Sequence, residues 1–400
     1  MNRWRAAAGA SIGLAVGWGP FFILSFGLFQ KPIITELGWT RAEFSLGFSI
    51  ATIIAAASSG MVGALVDKFG ARRIAFVGTI AFPAVLAPLS LIHTYPEYLA
   101  CAVMIGALGS WTSYPTYVPI LPVWFKRNLG AAFAVASSGV GFGTAVASLC
   151  AGFFIVHLGW RAAIAVLPIP LVVVGLANTL ALLPARSADQ ATELLLVTST
   201  DPGLSFHDAI RTGVFWKLTI SFALVILVGI GVDFHISALL TDRGFTTLHA
   251  AGVASLIGTS ILVARLATGL LLDYLPFRIL ALVIFLGQAT AALLLAGGWG
   301  GPAPYIAACL IGVAIGGEGD LMPYAFSKQF GAKAYGKIYG FGFSFYNLGT
   351  LLGPLLLGAV YGQANSYVPG LAGFAGLSVT AAILAYFSGN APRDRRFDGG

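Results

Sequence analysis

The chain has 400 residues, 58% hydrophobic and only 9% charged, with a mean hydropathy of +0.88 and a formal net charge of +7. This balance excludes an ordinary water-soluble domain. With so few charges, the basic excess is better explained by loops held on the cytoplasmic side of a membrane than by nucleic-acid binding.

Apolar runs of about 20 residues, enough for a helix to cross a hydrocarbon core roughly 30 Å thick, recur from end to end. They predict an all-α membrane protein with twelve transmembrane helices. The first six cover residues 6–29, 42–65, 74–92, 98–121, 131–156 and 162–183, and the second six cover 215–240, 250–272, 279–296, 304–326, 338–361 and 368–387. An even number puts both termini on one side. Arg3 and Arg5 precede a full-length span with no small-residue cleavage site after it, so the first helix is expected to stay rather than be removed as a signal peptide. With the N-terminus cytoplasmic, all but five of the 22 lysines and arginines fall in cytoplasmic segments. Lys31, Arg41, Arg161 and Arg243 lie outside, and the one cation left over, Arg265, lies in the middle of a span. Cys101, Cys150 and Cys309 sit within apolar spans without a CxxC pattern or a nearby histidine, which suits packing rather than disulfide or metal chemistry. No cofactor and no metal are expected.

The two halves repeat. One offset aligns Gly63, Asp67, Gly70 and Arg72 with Gly269, Asp273, Pro276 and Arg278, and also Arg127 with Lys333, Gly143 with Gly349 and Gly152 with Gly358. A shared offset through loops and helices argues for duplication of a six-helix unit. The expected organisation is a bundle over residues 1–184, a cytoplasmic linker over 185–213, a second bundle over 214–390 and a short tail over 391–400. Within the linker, Ser205 followed by Asp208 is a helix-start pattern. Parallel six-helix repeats around an axis normal to the membrane, with substrate bound between them near the midplane, are a transporter arrangement.

The loop "GALVDKFGARR" between the second and third spans, with its degenerate copy "GLLLDYLPFR", resembles the signature of the major facilitator superfamily. The resemblance implies two pseudo-symmetric bundles and a conformational latch over Gly63, Asp67, Gly70, Arg72 and Arg73, repeated at Asp273 and Arg278. Physically, Asp67 at a helix end can pair with basic residues and with a neighbouring helix dipole. A solvated loop obeying the positive-inside rule accounts for Lys68, Arg72 and Arg73 but not for Asp67 and the glycines.

Intramembrane ionisable groups are costly and therefore functional candidates. Four stand out: Arg265 in the eighth span, Asp233 in the seventh, and Glu318 and Asp320 in the tenth. Arginine stays charged and offers a planar fork matched to a carboxylate, which favours an anionic substrate. The competing reading is an internal ion pair that merely ties helices together. Glu318 and Asp320, two residues apart, are turned about 200° from each other on a helix, so only one is expected to face Arg265. A carboxyl in a low-dielectric cavity can carry a proton, and Glu318 or Asp233 is the candidate for proton coupling. Tyr114, Tyr117, His235, Tyr346 and Asn347 can line a central cavity, although each alone can equally be an interhelix hydrogen bond or an interfacial aromatic. "SGVGFG" and Gly349-x-x-x-Gly353 are small-residue faces that let helices approach closely.

The stretches "FQKPIITELGWTRAEFS", "WFKRNLGAAFAVASSGVGFG" and "GGEGDLMPY", with Arg265 before Gly269, resemble the monocarboxylate porter and oxalate:formate antiporter branch of that superfamily. The resemblance implies that Arg265 binds the substrate carboxylate and that Lys31, near the outer end of the first helix, assists entry. It also favours Tyr117 and Tyr346 as substrate contacts, since the fourth and eleventh helices border the cavity. Animal monocarboxylate porters carry an aspartate one turn before the arginine, where this chain has Ile261, so their proton route does not transfer. Oxalate antiporters place a second cation in the eleventh helix, and residues 338–361 contain none. A single central cation favours a monoanion.

The expectation is a secondary transporter, not an enzyme, that moves a small organic monoanion by alternating access. Protons in symport or a counter-anion in exchange would drive it. It is expected as a monomer in the inner (plasma) membrane of a bacterium, with the lipid bilayer as its surroundings. The alternative is efflux of a drug or neutral metabolite with Arg265 purely structural. A transporter-like sensor is the further alternative. No GxxxxGK[ST], HExxH or GxSxG pattern supports ATPase or hydrolase chemistry.

Overall fold

Helix starts and stops are written in short polar and glycine signals between the apolar runs. Thr40 opens a long helix with a capping box, its hydroxyl accepting from the Glu43 N–H while Glu43 accepts from the Thr40 N–H. Thr212 and Thr246 cap later helices in the same way, accepting from the N–H groups of Phe215 and His249. The computed structural model describes residues 3–117, 120–121, 125, 129–183, 203–272, 274–298, 300–331 and 334–389.

In chain order the helices are α1 (Arg3–Ala15), α2 (Gln30–Leu37), α3 (Arg41–Phe69), α4 (Ala71–Leu86), α5 (Tyr95–Gly109), α6 (Tyr114–Tyr117), α7 (Leu129–Val166), α8 (Pro168–Ala181), α9 (Phe206–Ile210), α10 (Gly213–Asp242), α11 (Thr247–Leu271), α12 (Phe277–Ala296), α13 (Ala303–Phe330), α14 (Tyr335–Ala364) and α15 (Val368–Tyr386). Among the described residues ten helical stretches are long and apolar enough to cross a membrane, and Pro168–Ala181 is a shorter apolar helix. The expected fourth span is represented by α5, a 3-10 turn over Ser110–Thr112 and α6, and part of it lies outside the described residues. Ser205 caps α9, its hydroxyl accepting from the Asp208 N–H. Most of the expected linker and the whole of the expected tail lie outside the described residues.

The first span is not one regular helix. After Ala15 it passes through a π turn over Gly19–Ile23 and a 3-10 turn over Phe26–Phe29 before α2. Pro20 lacks the N–H that a continuous helix would use. The break brings the backbone against its neighbours: the Trp18 N–H donates to the Thr112 hydroxyl at 3.1 Å, and a Cβ on Gly27 would stand 2.1 Å from the Phe234 carbonyl oxygen.

The duplication is visible in the backbone. Left-handed positions recur at the sequence offset, Gly38 (φ 73°) with Gly244 (φ 89°) and Gly159 (φ 78°) with Asn365 (φ 49°). The caps Thr40 and Thr246 obey the same offset. Gly159 interrupts α7 and separates the fifth span from the sixth.

Two helix pairs join the halves. On one side α7 meets α11, where a Cβ on Gly141 would lie 2.5 Å from the Leu262 amide nitrogen and one on Gly258 would lie 2.4 Å from that of Ala145. On the other, α3 meets α14, and the Ser49 hydroxyl donates to the Leu351 carbonyl at 2.8 Å. Phe234 of α10 is inserted among phenylalanines of the first half, 4.4 Å from Phe48 and 5.7 Å from Phe44 between ring centroids. Among the described residues, the polar bonds between the halves all lie toward the end opposite the termini, here termed the outer end.

Within the second half the contact of α14 with α10 has no space for a side chain, since a Cβ on Gly353 would stand 2.1 Å from the Leu227 carbonyl oxygen. Overpacking into backbone cannot be relieved by a rotamer change. The substitution Gly353→Val is expected to destabilise the protein by about 3 kcal/mol, the upper end of overpacking costs. A thermal-unfolding midpoint in detergent equal to that of the parent protein would refute this.

Candidate substrate site

Arg265 projects from α11 and is 8% exposed. Its guanidinium rests against α13 at Gly319, where a Cβ would be 2.9 Å from both Nη1 and Nη2. The missing side chain is the seat. Ala264, one residue earlier on α11, packs against Gly316, so the two helices stay in contact over the turn that carries the arginine. Among the described residues Arg265 makes no ion pair, and its Nε has no hydrogen-bond partner.

Four groups interact with it electrostatically: Tyr114, Asp320, Tyr346 and Glu318. Glu318 is fully buried, and its Oε1 accepts from the Tyr346 hydroxyl at 3.0 Å while Oε2 has no partner. Tyr346 is held by Phe343, stacked on it at 4.9 Å. Asp320, half-buried, leaves Oδ2 without a partner. The two acids flank Gly319, over which the guanidinium lies, and among the described residues neither is within ion-pair distance of it. Asn347 is half-buried one residue beyond Tyr346.

Other sequence candidates lie elsewhere. Tyr117 is 1% exposed and its ring faces α1, where a Cβ on Gly13 would lie 2.3 Å from it. Tyr114, exposed at 38%, takes the place near Arg265. The 3-10 turn Ser110–Thr112 and the bend at Ser113 reset the helical phase just before these tyrosines, which no simple helical wheel anticipates. Asp233 is 5% exposed with neither carboxylate oxygen bonded. Lys31 is not brought to Arg265; its ammonium lies 3.0 Å from Asp242 at the outer end.

In the loop after α3, Gly70 closes the helix with φ 85° and its N–H donates to the Val66 carbonyl. Arg72 donates to the carbonyls of Thr179 and Leu180 at 3.0 and 2.9 Å, satisfying the C-terminal end of α8. Gly63 stands with open space around its Cα, Arg73 is exposed, and Arg278 lies over the Tyr386 ring at 5.6 Å. The Asp67 side chain and Asp273 lie outside the described residues.

A different charged cluster marks the outer end and was not singled out in the sequence. Arg41, 8% exposed, is hydrogen-bonded to Asp242 and to the Tyr367 hydroxyl, and lies over the Tyr361 ring at 3.9 Å. His235, buried beside it, contacts Gln30 Oε1 and the Tyr367 hydroxyl through Nδ1 and the Pro354 carbonyl through Nε2. An arginine at a helix start carries no sequence signal that separates it from a solvated one.

The family model of the Major Facilitator Superfamily matches residues 10–354. Monocarboxylate transporter 13 of Bos taurus is 28% identical over 99% of this chain and 92% of its own length. The nitrite extrusion protein of Bacillus subtilis (strain 168) is 24% identical over 94% of this chain and 91% of its own. In three dimensions a crystal structure of the nucleoside transporter NupG superposes with a TM-score of 0.76 at 14% identity, covering 96% of this chain and 99% of that one, which shows the shared fold. The chain belongs to the Major Facilitator Superfamily and is a multi-pass membrane transporter.

Proposed function

We propose that the protein moves a small organic monoanion, most simply a monocarboxylate, by alternating access between its two halves in the inner (plasma) membrane of a bacterium, acting as a monomer. The observation that carries this reading is a buried guanidinium without an ion-pair partner among the described residues, seated on Gly319 and ringed by hydroxyls and carboxyls. A permanent charge in such a place needs a counter-charge, and a cargo carboxylate supplies one with the bidentate geometry that arginine favours. Tyr114, Tyr346 and Asn347 are the proposed polar contacts, and Tyr117 supports the wall behind them. The similarity to a monocarboxylate transporter and a nitrite extrusion protein, both named for anions, agrees with this reading.

Charge bookkeeping selects between the two modes of coupling. With Glu318 and Asp320 both ionised, the cluster around Arg265 carries a net charge of −1 and repels an anion. With both protonated it carries +1. Anion binding is therefore helped by proton binding at these carboxyls, which favours symport over exchange, with Glu318 as the proton carrier and Asp233 as a further buried carboxyl on the path. The alternative, efflux of a neutral molecule with Arg265 structural, draws on the same two acids as internal counter-charges.

Proteoliposome uptake of labelled lactate, pyruvate, formate and oxalate tests the cargo class. Arg265→Lys is expected to fold normally but to raise KM about ten- to a hundredfold, the worth of a charge-assisted bond pair. Equal uptake by the lysine variant, or no uptake of any of these anions by the parent protein, would sink the anion reading. The coupling is read separately. KM of the parent protein should rise with pH as the carboxyls release their protons, and the Glu318→Gln/Asp320→Asn variant should show a KM independent of pH. A pH-independent KM in the parent protein would instead support exchange.

A further inference from the structure

The contact that seats Arg265 has a copy in the first half. Between α11 and α13 the Ile257 and Ile261 carbonyl oxygens stand 2.4 and 2.7 Å from where Gly312 and Gly316 would carry a Cβ, and Ala264 packs against Gly316. Under the offset of the repeat, Ile257 and Gly312 correspond to Ala51 and Gly106, and Ala264 and Gly316 to Ser58 and Ser110. The first half makes the same approach. A Cβ on Gly106 would lie 2.3 Å from the Ala51 carbonyl oxygen, and the Ser58 and Ser110 hydroxyls meet at 2.8 Å where Ala264 and Gly316 touch in the second half. Next in the two chains, Ser59 stands for Arg265, Ser113 for Gly319 and Tyr114 for Asp320. The 3-10 turn over Ser110–Thr112 shifts the phase, yet Tyr114 still faces the charged cluster, interacting with both Arg265 and Asp320. Repeats arranged about an axis normal to the membrane turn equivalent residues toward that axis, so Ser59 is directed to the centre as Arg265 is.

This copy keeps the place and drops the charge. A serine hydroxyl has one proton and two lone pairs, and here the protons are already committed. Ser59 donates to the Ala55 carbonyl at 2.7 Å and Ser113 to the Ser110 carbonyl at 2.6 Å. Both residues are half-buried, and among the described residues nothing donates to either hydroxyl. Lone pairs are therefore what this wall presents. Thr112, the counterpart of Glu318, is closed, since it donates to the Gly109 carbonyl and accepts from the Trp18 N–H. Val140 and Gly141 stand for Tyr346 and Asn347, so no further donor comes from that side.

We propose that Ser59 and Ser113, with Tyr114 beside them, form a second subsite that selects a monocarboxylate carrying a neutral O–H donor at the end remote from its carboxylate. This rests on the anion reading above and specifies the other end of the cargo. A carboxylate held by Arg265 lies against the second half, so a group that reaches Ser59 must project toward the first. A hydroxyl there donates into waiting lone pairs. A keto oxygen sets lone pairs against lone pairs, and an alkyl end leaves the serine oxygens without a bond, the kind of loss by which a polar site rejects an analogue. An ammonium would need a counter-charge, and on this side a tyrosine replaces the acid.

Uptake of labelled 4-hydroxypentanoate, 4-oxopentanoate and pentanoate by the full chain in proteoliposomes tests this, because the three acids share one carbon skeleton. The hydroxy acid should show the lowest KM, about fivefold below pentanoate, the worth of one hydrogen bond, and the oxo acid should show no such advantage. In the Ser59→Ala/Ser113→Ala variant the KM of the hydroxy acid should rise to that of pentanoate. Ser59→Thr, which keeps an accepting hydroxyl, should retain the preference. A role in packing alone moves all three KM values together and leaves their ratios as they were. The single variants Ser59→Ala and Ser113→Ala give the same readout if the double variant does not fold. Equal KM values for the three acids in the parent protein, an oxo acid that matches the hydroxy acid, or a preference that survives Ser59→Ala/Ser113→Ala overturns the proposal; uptake that still depends on Arg265 then leaves the anion reading standing. If none of the three acids is taken up, the anion reading fails and this subsite falls with it.

Discussion

A guanidinium that cannot lose its proton lies in the greasy interior of the protein, and the arrangement around it follows from that charge. A cation in a low-dielectric site is tolerated only beside compensating groups. Here compensation comes from α13 and α14 rather than from α11 itself, through Glu318, Asp320 and Tyr346. The close approach of α11 and α13 at Gly312 and Gly316 sets the distance between charge and counter-charge. At Gly319 the same small-residue strategy makes room for the charge itself. Two acids for one base leave the cluster with a net charge of −1 when both are ionised, and a single proton brings it to zero.

The two ends of the molecule solve the same electrostatic problem differently. Around Arg265 the acids belong to the same half as the base, so a relative motion of the halves would carry them together. At the outer end Asp242 belongs to one half while Arg41 and Lys31 belong to the other, so that cluster is made and broken by the motion itself. A pair within a rigid bundle tunes binding, whereas a pair across bundles tunes the populations of the two conformations. The partly exposed Lys31–Asp242 contact contributes little by itself. Arg41, enclosed by two tyrosine rings and hydrogen-bonded twice, is the stronger element.

Much of the architecture was legible because it depends on local rules. Apolar runs and a shared offset through loops and helices located the spans and the repeat; the threonine caps and left-handed positions that end the helices act within a few residues as well. Arg265, Glu318 and Asp320 were legible as charges where lipid forbids casual ones. The directions of side chains were harder. Tyr117 is turned into its own bundle by a helix break that resets the phase, and the wheel argument that separated Glu318 from Asp320 treated the arginine as a point facing one side. The guanidinium in fact lies over Gly319, the residue between the two acids in the chain. Arg41 and Asp242 were invisible as a pair because their partnership is a contact between halves that are 201 residues apart in sequence.

Duplication explains why such a pair can arise. A copied unit begins with identical internal bonds, and replacing one partner frees the other to find a new one across the interface. Under the offset, Tyr367 stands where the first half has Arg161, and Ser59 where the second half has Arg265. The first difference leaves Asp242 free to pair across the interface; the second confines the central cation to one bundle. The asymmetry distinguishes the two ends of the two-fold scaffold: the second half carries Arg265 at the centre, and the first carries Arg41 and Lys31 at the outer end.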